Sequence, residues 1–248
     1  MDFLSKINSD YKIAINQKYS INKILYEYQI DALESIYKLL RLYYKDFSAD
    51  KQKFFEAIYK DKVREYLDIN IKGKRIKQYL NLENNKIHFS ELVNRASFWM
   101  ATGSGKTLVI VKLIELLKQL MDNGEIPKRD ILFLTARDDL VEQFKRHVEE
   151  YNSSNSLKIE LFPLNEFERV KAHKEFEFPN RVKVFYYRSD LISDEGGEKR
   201  IDFETVYNNG EWYLILDEAH KGDKAESKRQ AIFTILTQNG FMFNFSAT

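Results

Sequence analysis

The sequence predicts an α/β protein built on a mainly parallel sheet. From about Ser97 onward, short apolar runs of strand length alternate with longer amphipathic stretches. Apolar strands that are separated by helices need crossover connections, and such a sheet is covered on both faces. Ligands of these sheets bind at the carboxyl ends of the strands. The residues that directly follow each apolar run are therefore the first candidates for a functional site.

Six apolar runs are the predicted strands, and two amphipathic stretches between them are predicted helices. The strands are expected at 98–101, 131–134, 158–162, 182–187, 212–216 and 241–245. The helices are expected at 106–121 and 139–150. In the second helix Val141, Phe144 and Val148 recur at helical spacing, so one face is apolar.

An N-terminal helical region is predicted to precede the sheet. Apolar residues recur there at steps of three and four, as on one face of a helix, at Ile30, Leu33, Tyr37, Leu40 and Tyr44. The charged segment 50–94 carries a second helical pattern, through Phe54, Phe55, Ile58, Val63 and Tyr66, and then a basic run at 72–77. We expect a helical insertion with an exposed basic turn, which either contacts a nucleic-acid backbone or is solvated. The expected domains are 1–95 and 96–248.

The composition excludes several classes of protein. The 248 residues include 39 Lys+Arg, 38 Asp+Glu and no Cys, which argues against collagen-like, disulfide-scaffold and disordered proteins. No apolar run approaches the roughly 18 residues of a membrane span, and the N-terminus lacks a secretory signal. We therefore expect no membrane span and a cytoplasmic location. The net charge of +1 predicts that any nucleic-acid binding depends on a local surface.

A glycine-rich turn follows the first predicted strand and leads straight into an apolar helix. Its sequence is Thr102-Gly103-Ser104-Gly105-Lys106-Thr107. Such a loop can turn its backbone N–H groups around phosphate oxygens, and the helix N-terminus adds positive potential. We expect Lys106 to reach the phosphates of a nucleotide and the Thr107 hydroxyl to ligate Mg²⁺. The strict motif has Gly where this chain has Met100, so a glycine-rich turn with an incidental Lys-Thr pair is the alternative.

Two adjacent acids follow another predicted strand, in the sequence Asp217-Glu218-Ala219-His220. Two carboxylates at the end of a buried strand are costly unless a positive group meets them, and Mg²⁺ would be such a group. Asp217 is expected to hold the ion, and Glu218 to orient and deprotonate a water for attack on the terminal phosphate. The alternative is a helix N-cap after a strand, because Asp is a good cap and Glu suits a first turn.

Three motifs together resemble motifs I, II and III of superfamily 2 helicases and translocases. They are Met100 to Thr107, Asp217 to His220 and the closing Ser246-Ala247-Thr248. The Met-Ala-Thr-Gly opening, the continuation through Lys221 and the Phe-Ser-Ala-Thr ending are most similar to the restriction (Res) subunit of type III restriction enzymes. Type I restriction motors and other Asp-Glu-Ala-His helicases are close alternatives. The resemblance implies a RecA-like P-loop NTPase lobe.

The same resemblance implies roles for individual residues. Gln29 is similar to the upstream Gln that reads the adenine edge and so selects ATP, with an exposed polar residue on the helix as the alternative. His220, Ser246 and Thr248 resemble residues that link the state of the terminal phosphate to strand binding. The implied catalytic residues are Lys106, Asp217, Glu218 and His220. The nucleotide is expected to contact Gln29 and the loop that runs from Thr102 to Thr107.

Polar residues after two other strands resemble strand-contacting motifs. Thr135 and Arg137 lie in a stretch that looks like motif Ia, and Tyr187 and Arg188 occupy the place of a later motif. Their hydroxyl and guanidinium groups can grip phosphates without reading bases. The implied partner is double-stranded DNA. Ordinary polar residues at strand ends are the alternative.

The resemblance thus implies an ATP-hydrolysing motor lobe that acts on DNA with ATP and Mg²⁺ as cofactors. A second RecA-like lobe of a longer parent chain and a methyltransferase subunit are further implied partners. Because the second lobe would supply an arginine finger, we expect the 248 residues alone to bind ATP weakly and to hydrolyse it slowly. A nucleotide-dependent switch or kinase, and a DNA-binding module with a degenerate ATP site, are alternatives from other classes.

Overall fold

The computed structural model describes residues 11–68, 74–172, 179–217 and 226–247. The strands are β1 Tyr66–Asp68, β2 Leu82–Glu83, β3 Lys86–His88, β4 Arg95–Trp99, β5 Asp130–Thr135, β6 Lys158–Pro163, β7 Arg181–Arg188, β8 Ile192–Ser193, β9 Ile201–Asp202, β10 Trp212–Asp217 and β11 Phe241–Ser246. The α-helices are α1 Glu27–Arg41, α2 Lys51–Ile58, α3 Lys74–Tyr79, α4 Lys106–Asp122, α5 Asp138–Ser154, α6 Phe167–Ala172 and α7 Glu226–Leu236. A π-helical turn, Leu42–Asp46, continues α1.

Six strands form a central sheet in the order β4-β11-β10-β5-β7-β6. Every neighbouring pair in this sheet is parallel. Because parallel neighbours need crossovers, helices lie between successive strands, with α4 between β4 and β5 and α5 between β5 and β6. The prediction of an α/β fold with a mainly parallel sheet is confirmed.

The register of the sheet brings several strand ends to one edge. Asp217, the last residue of β10, pairs with Phe245, which directly precedes Ser246 at the end of β11. Thr135, the last residue of β5, pairs with Arg188 at the end of β7. The residues that follow these strands therefore meet at the carboxyl edge, where ligands of parallel sheets bind.

The two faces of the sheet pack into two separate hydrophobic cores. On β10, Tyr213 and Ile215 belong to the core on the side of α1, α4 and α5. Trp212, Leu214 and Leu216 of the same strand belong to the core on the side of α7. All five side chains are buried. Burial on both faces explains why this strand is a continuous apolar run in the sequence.

The N-terminal helical region shares a core with the sheet. Leu33, Ile36 and Leu40 of α1 are 0% exposed and lie in the same cluster as Val109 and Leu113 of α4. This packing holds the first turn of α1 beside the start of α4, where the glycine-rich loop lies. Within the described ranges, no helix is both long and apolar enough to cross a membrane.

The prediction of a helical insertion over 50–94 is only partly correct. The segment is helical in α2, as expected, but Tyr66, predicted on a helical face, lies in β1. Strands β1, β3 and β2 form a small antiparallel sheet in that order. Asn84 and Asn85 have positive φ angles of 51° and 60°, the backbone of a two-residue hairpin turn. Tyr66 pairs with His88 of β3, so pairing with this hairpin overrides the helical spacing at that residue.

Two other predicted boundaries differ from the structure. The basic run predicted as an exposed turn is helical over 74–77, within α3, and residues 72–73 lie outside the described ranges. The first predicted strand, 98–101, is β4, which begins at Arg95 and ends at Trp99. The strand lies at the edge of the sheet and includes the polar residues Arg95 and Ser97. Its apolar run is therefore shorter than the strand itself.

Candidate functional site

The glycine-rich loop joins β4 to α4 at the carboxyl edge of the sheet. Gly103 and Gly105 have φ angles of +80° and +76°, a left-handed conformation that favours glycine. Gly105 is the N-cap of α4 and provides no side-chain hydrogen bond to the first turn. The loop therefore leads into an open helix N-terminus, whose N–H groups and dipole favour an anion.

Lys106 and Asp217 meet at this edge. The Lys106 Nζ atom lies 3.0 Å from the Asp217 Oδ1 atom, and the two side chains are 12% and 5% exposed. Lys106 is the first residue of α4, and Asp217 is the last residue of β10. Two motifs that are more than a hundred residues apart in the sequence thus face one pocket. The ammonium group compensates a carboxylate whose burial alone would be costly.

The groups present in this pocket fit a magnesium nucleotide. The Ser104 hydroxyl is buried in the loop, and no residue in the described part of the chain hydrogen-bonds to it. Thr107 is the second residue of α4 and is partly buried, whereas Thr102 and Gly103 are exposed. An ammonium, helical N–H groups and hydroxyls suit phosphate oxygens, and a carboxylate with a hydroxyl suits Mg²⁺.

Gln29 lies in the first turn of α1, against the loop. Its Nε2 atom donates to the Ser104 carbonyl at 2.8 Å, and its Oε1 atom accepts from the Tyr26 N–H at 2.9 Å. The side chain is 1% exposed, so the alternative of a polar residue on the exposed side of the helix is wrong. A base could reach this amide only if Gln29 or its neighbours moved.

Ser246 ends β11 next to the start of the loop. Its carbonyl accepts from the Met100 N–H at 2.9 Å, and its hydroxyl donates to the Ala247 carbonyl at 3.1 Å. Ser246 therefore connects the strand after α7 to the residue that opens the loop. The remaining predicted residues of motifs II and III, Glu218, His220 and Thr248, lie outside the described residues.

The predicted motif Ia residues follow β5. Thr135 is 0% exposed, and its hydroxyl has no partner among the residues that the structure describes. Arg137 is exposed and lies 3.0 Å from Asp139. Thr135 is one residue beyond Leu134, which pairs with Leu216 of β10, so it ends its strand at the level of the acid after Leu216.

The later pair of predicted strand-contacting residues ends β7. Arg188 donates to both carboxylate oxygens of Asp190, at 3.0 and 2.7 Å, and to Asp138 at 2.8 Å. The hydrogen bonds to Asp190 first, and then the contact with Asp138, raise the pKa of the Arg188 guanidinium. Burial raises the pKa of Tyr187, whose hydroxyl donates to the Lys199 carbonyl at 3.4 Å. Arg188 is therefore charged but already paired with two carboxylates.

Sequence patterns gave no indication of a groove that adjoins the loop. This groove of about 740 Å³ runs between α1 and the edge strand β4. Tyr28 and Ser104 line its end at the loop, where the Tyr28 hydroxyl donates to the Ser104 carbonyl at 2.7 Å. Trp99 also lines it and is 70% exposed. The groove depends on where α1 lies relative to β4, which no local spacing in the sequence encodes.

With this geometry in place, comparisons with known proteins assign a family. The family described as "Type III restriction enzyme, res subunit" matches residues 22–248. This chain belongs to that family. The Res family assignment confirms the resemblance to superfamily 2 helicases, and to the restriction (Res) subunit in particular. The chain is thus a helicase-like domain of the Res family.

Solved structures of one helicase are also similar to this Res family chain. The crystal structure of the UvsW helicase from bacteriophage T4 is 16% identical, with 72% of this chain and 61% of that chain covered and a TM-score of 0.32. A second crystal structure of T4 UvsW is 17% identical, covering 84% and 40% of the two chains, also with a TM-score of 0.32. This chain thus spans 61% and 40% of their lengths. A comparison with curated proteins found no match.

Proposed function

We propose that this chain is the ATP-binding motor lobe of a DNA translocase or helicase that serves restriction. The observation that carries the proposal is the 3.0 Å contact between Lys106 and Asp217 at the carboxyl edge of the sheet. A cation from the phosphate loop and an acid from the second motif share one pocket there. Membership of the Res family supports restriction as the role of the motor.

Each residue of the pocket has a proposed task. Lys106 and the N–H groups at the start of α4 bind the phosphates of ATP. Thr107 and Asp217 hold Mg²⁺, which supplies charge neutralisation on the phosphates when it is bound. With Asp217 as a ligand of Mg²⁺, the Lys106 ammonium would contact phosphate in place of the carboxylate. Glu218 orients the attacking water and accepts its proton.

The carboxyl edge of the sheet is also the proposed DNA-binding side. Thr135 and Arg137 follow β5, and Tyr187 and Arg188 end the neighbouring strand β7. We assign these residues to contacts with the phosphate backbone, in keeping with their hydroxyl and guanidinium groups. His220, Ser246 and Thr248 are the proposed couplers between the nucleotide and this surface, because Ser246 hydrogen-bonds through its carbonyl to the residue that opens the loop.

Lys106→Ala tests the ATP site directly. We expect the wild-type 248-residue chain to bind ATP·Mg²⁺ in isothermal titration calorimetry, and Lys106→Ala to weaken binding about a hundredfold, because hydrogen bonds to charged groups contribute about 1.5–3 kcal/mol each. Lys118→Ala is the matched control. Lys118 lies on the same helix and is paired with Asp122, far from the loop, so its loss should leave the affinity unchanged.

The outcomes separate a nucleotide site from a structural ion pair. Equal affinities for wild type and Lys106→Ala would show that Lys106 does not bind the nucleotide and would overturn the proposal. The DNA part is tested by hydrolysis measured with and without duplex DNA. Slow basal turnover is expected from this chain, since the proposed arginine finger comes from another lobe. Vigorous DNA-stimulated turnover by the 248 residues alone would contradict the need for a second lobe.

A further inference from the structure

Gln29 uses both ends of its amide inside the protein. The Nε2 group donates to the Ser104 carbonyl at 2.8 Å, and the Oε1 atom accepts from the Tyr26 N–H at 2.9 Å. The side chain is 1% exposed. A residue that reads a base needs donor and acceptor groups that face the ligand. In Gln29 these groups face the phosphate loop and the start of α1.

The Ser104 carbonyl is held by two donors from α1. The Tyr28 hydroxyl donates to the same oxygen at 2.7 Å, next to the bond from Gln29. The following residue, Gly105, lies so close to Gln29 that an added Cβ would sit 2.5 Å from the Nε2 atom. The first turn of α1 and the loop are therefore in direct contact at the peptide bond between Ser104 and Gly105.

The geometry of that peptide bond gives the contact a consequence for binding. In a planar trans peptide, the C=O of Ser104 and the N–H of Gly105 point in opposite directions. Two hydrogen bonds that hold the carbonyl toward α1 therefore fix the N–H of Gly105 away from α1. Gly103 and Gly105 have no side chains to restrain them, so the loop depends on such external contacts.

We propose that Gln29 is a positioning residue of the phosphate loop, which sets phosphate affinity through the Ser104 carbonyl independently of the base. This inference rests on the proposed nucleotide-binding function. It differs from a base-reading role, in which the effect of Gln29 on affinity depends on the base of the nucleotide. A base reader acts only on nucleotides that carry the matching base, whereas a loop-positioning residue acts on every polyphosphate that binds the loop.

Three probes distinguish these roles in the 248-residue chain. Dissociation constants for ATP, GTP and inorganic tripolyphosphate, each with Mg²⁺, are measured for wild type and for Gln29→Leu, which is uncharged and lacks the amide. Gln29→Leu removes one of the two donors to the Ser104 carbonyl and also the acceptor of the Tyr26 N–H. Since each hydrogen bond contributes about 0.5–1.5 kcal/mol, we expect the variant to weaken all three probes by the same factor, about tenfold.

Two variants that each lose one hydroxyl group provide a second test. Tyr28→Phe removes the other donor to Ser104 and keeps the ring, and we expect it to weaken all three probes by about threefold, the size of an ordinary hydrogen bond. Tyr26→Phe is the matched control. The Tyr26 ring stacks on Tyr28 at a centroid distance of 5.9 Å, but none of the bonds to the Ser104 carbonyl comes from it. Tyr26→Phe should therefore change none of the three dissociation constants.

Each result either supports or overturns the inference. Equal weakening of the three probes by Gln29→Leu and by Tyr28→Phe supports it. Weakening of ATP alone by Gln29→Leu, with GTP and tripolyphosphate unchanged, identifies a base reader and overturns it, as does no change in any probe. If Gln29→Leu does not fold, the Tyr28→Phe result decides in the same way. Failure of wild type to bind any of the three overturns the proposed function itself, and the inference with it.

Discussion

At the scale of single residues, Gly105 satisfies two constraints at once. Its φ angle of +76° is one that residues with a side chain rarely adopt. In addition, a Cβ at this position would collide with the Gln29 amide at 2.5 Å. Gly124, at the other end of α4, shares the first constraint with a φ angle of +68° but has open space around it. A comparison of substitutions at the two glycines therefore separates the effect of backbone strain from the effect of contact with Gln29.

We predict that Gly105→Ala impairs the loop more than its backbone strain alone explains. Both Gly105→Ala and Gly124→Ala should lower the free energy of unfolding by about 1–2 kcal/mol through left-handed strain. Only Gly105→Ala should also weaken ATP·Mg²⁺ binding, by about tenfold, because the clash displaces the carbonyl contact. Denaturant unfolding and calorimetry measure the two effects. Unchanged affinity in Gly105→Ala would argue against any role of this contact in binding.

At the scale of elements, Asn94 fixes the edge strand β4 to its neighbour. Its Nδ2 group donates to the carbonyls of Thr237 and Gly240, at 2.6 and 3.1 Å, in the turn that joins α7 to β11. Its own carbonyl accepts from the Met242 N–H at 3.0 Å. Asn94 is buried. One residue thus sets where β4 begins relative to β11, and so where the phosphate loop emerges.

Asn94→Ala should destabilise the protein by about 1–3 kcal/mol, because it removes two buried hydrogen bonds, to the Thr237 and Gly240 carbonyls. The matched control is Asn239→Ala, in the same turn. Asn239 is exposed and donates to the Asn209 carbonyl at 2.7 Å, so its loss should cost about 0.5 kcal/mol or less. Urea unfolding followed by circular dichroism measures both changes. Similar losses in the two variants would show that burial of the Asn94 amide contributes nothing specific.

At the scale of the whole molecule, the N-terminal region and the lobe share one core. The predicted division at 95/96 falls within a structure whose α1 residues, Leu33 among them, pack with α4 and the sheet. A shared core predicts a single cooperative unfolding transition. The boundary at 95/96 remains a prediction from the sequence. We expect the two parts to unfold together, with one free energy of unfolding.

Leu33→Ala tests this expectation with a probe in the lobe. Trp212 is 0% exposed in the sheet, and replacing the exposed Trp99 by Phe leaves it as the fluorescent reporter. In that background we expect Leu33→Ala to lower the stability that Trp212 reports by about 2–5 kcal/mol. Ile24→Ala, at a position that is 67% exposed, should change it by about 0.5 kcal/mol or less. An unchanged Trp212 transition in Leu33→Ala would mean that the two parts unfold independently.

Several features could be predicted from the sequence because they depend on neighbouring residues. The run from Trp212 to Asp217 is apolar because β10 is buried on both faces, and the glycines before Lys106 allow the backbone of the loop. Parallel strands end at one edge, so the loop and the acid were expected to meet, and they do so at 3.0 Å.

Other features were decided by the tertiary structure, because they join residues that are far apart in the chain. The amide of Gln29 meets a carbonyl 75 positions away, and no sequence pattern tells whether such an amide faces a ligand or the protein. Arg188 pairs with Asp138 across 50 positions, which occupies a guanidinium expected to contact DNA. The sequence by itself determined the fold class and the motifs of the pocket. Which way each side chain faces was decided by packing between distant elements, since hydrogen bonds form wherever folding brings the two groups together.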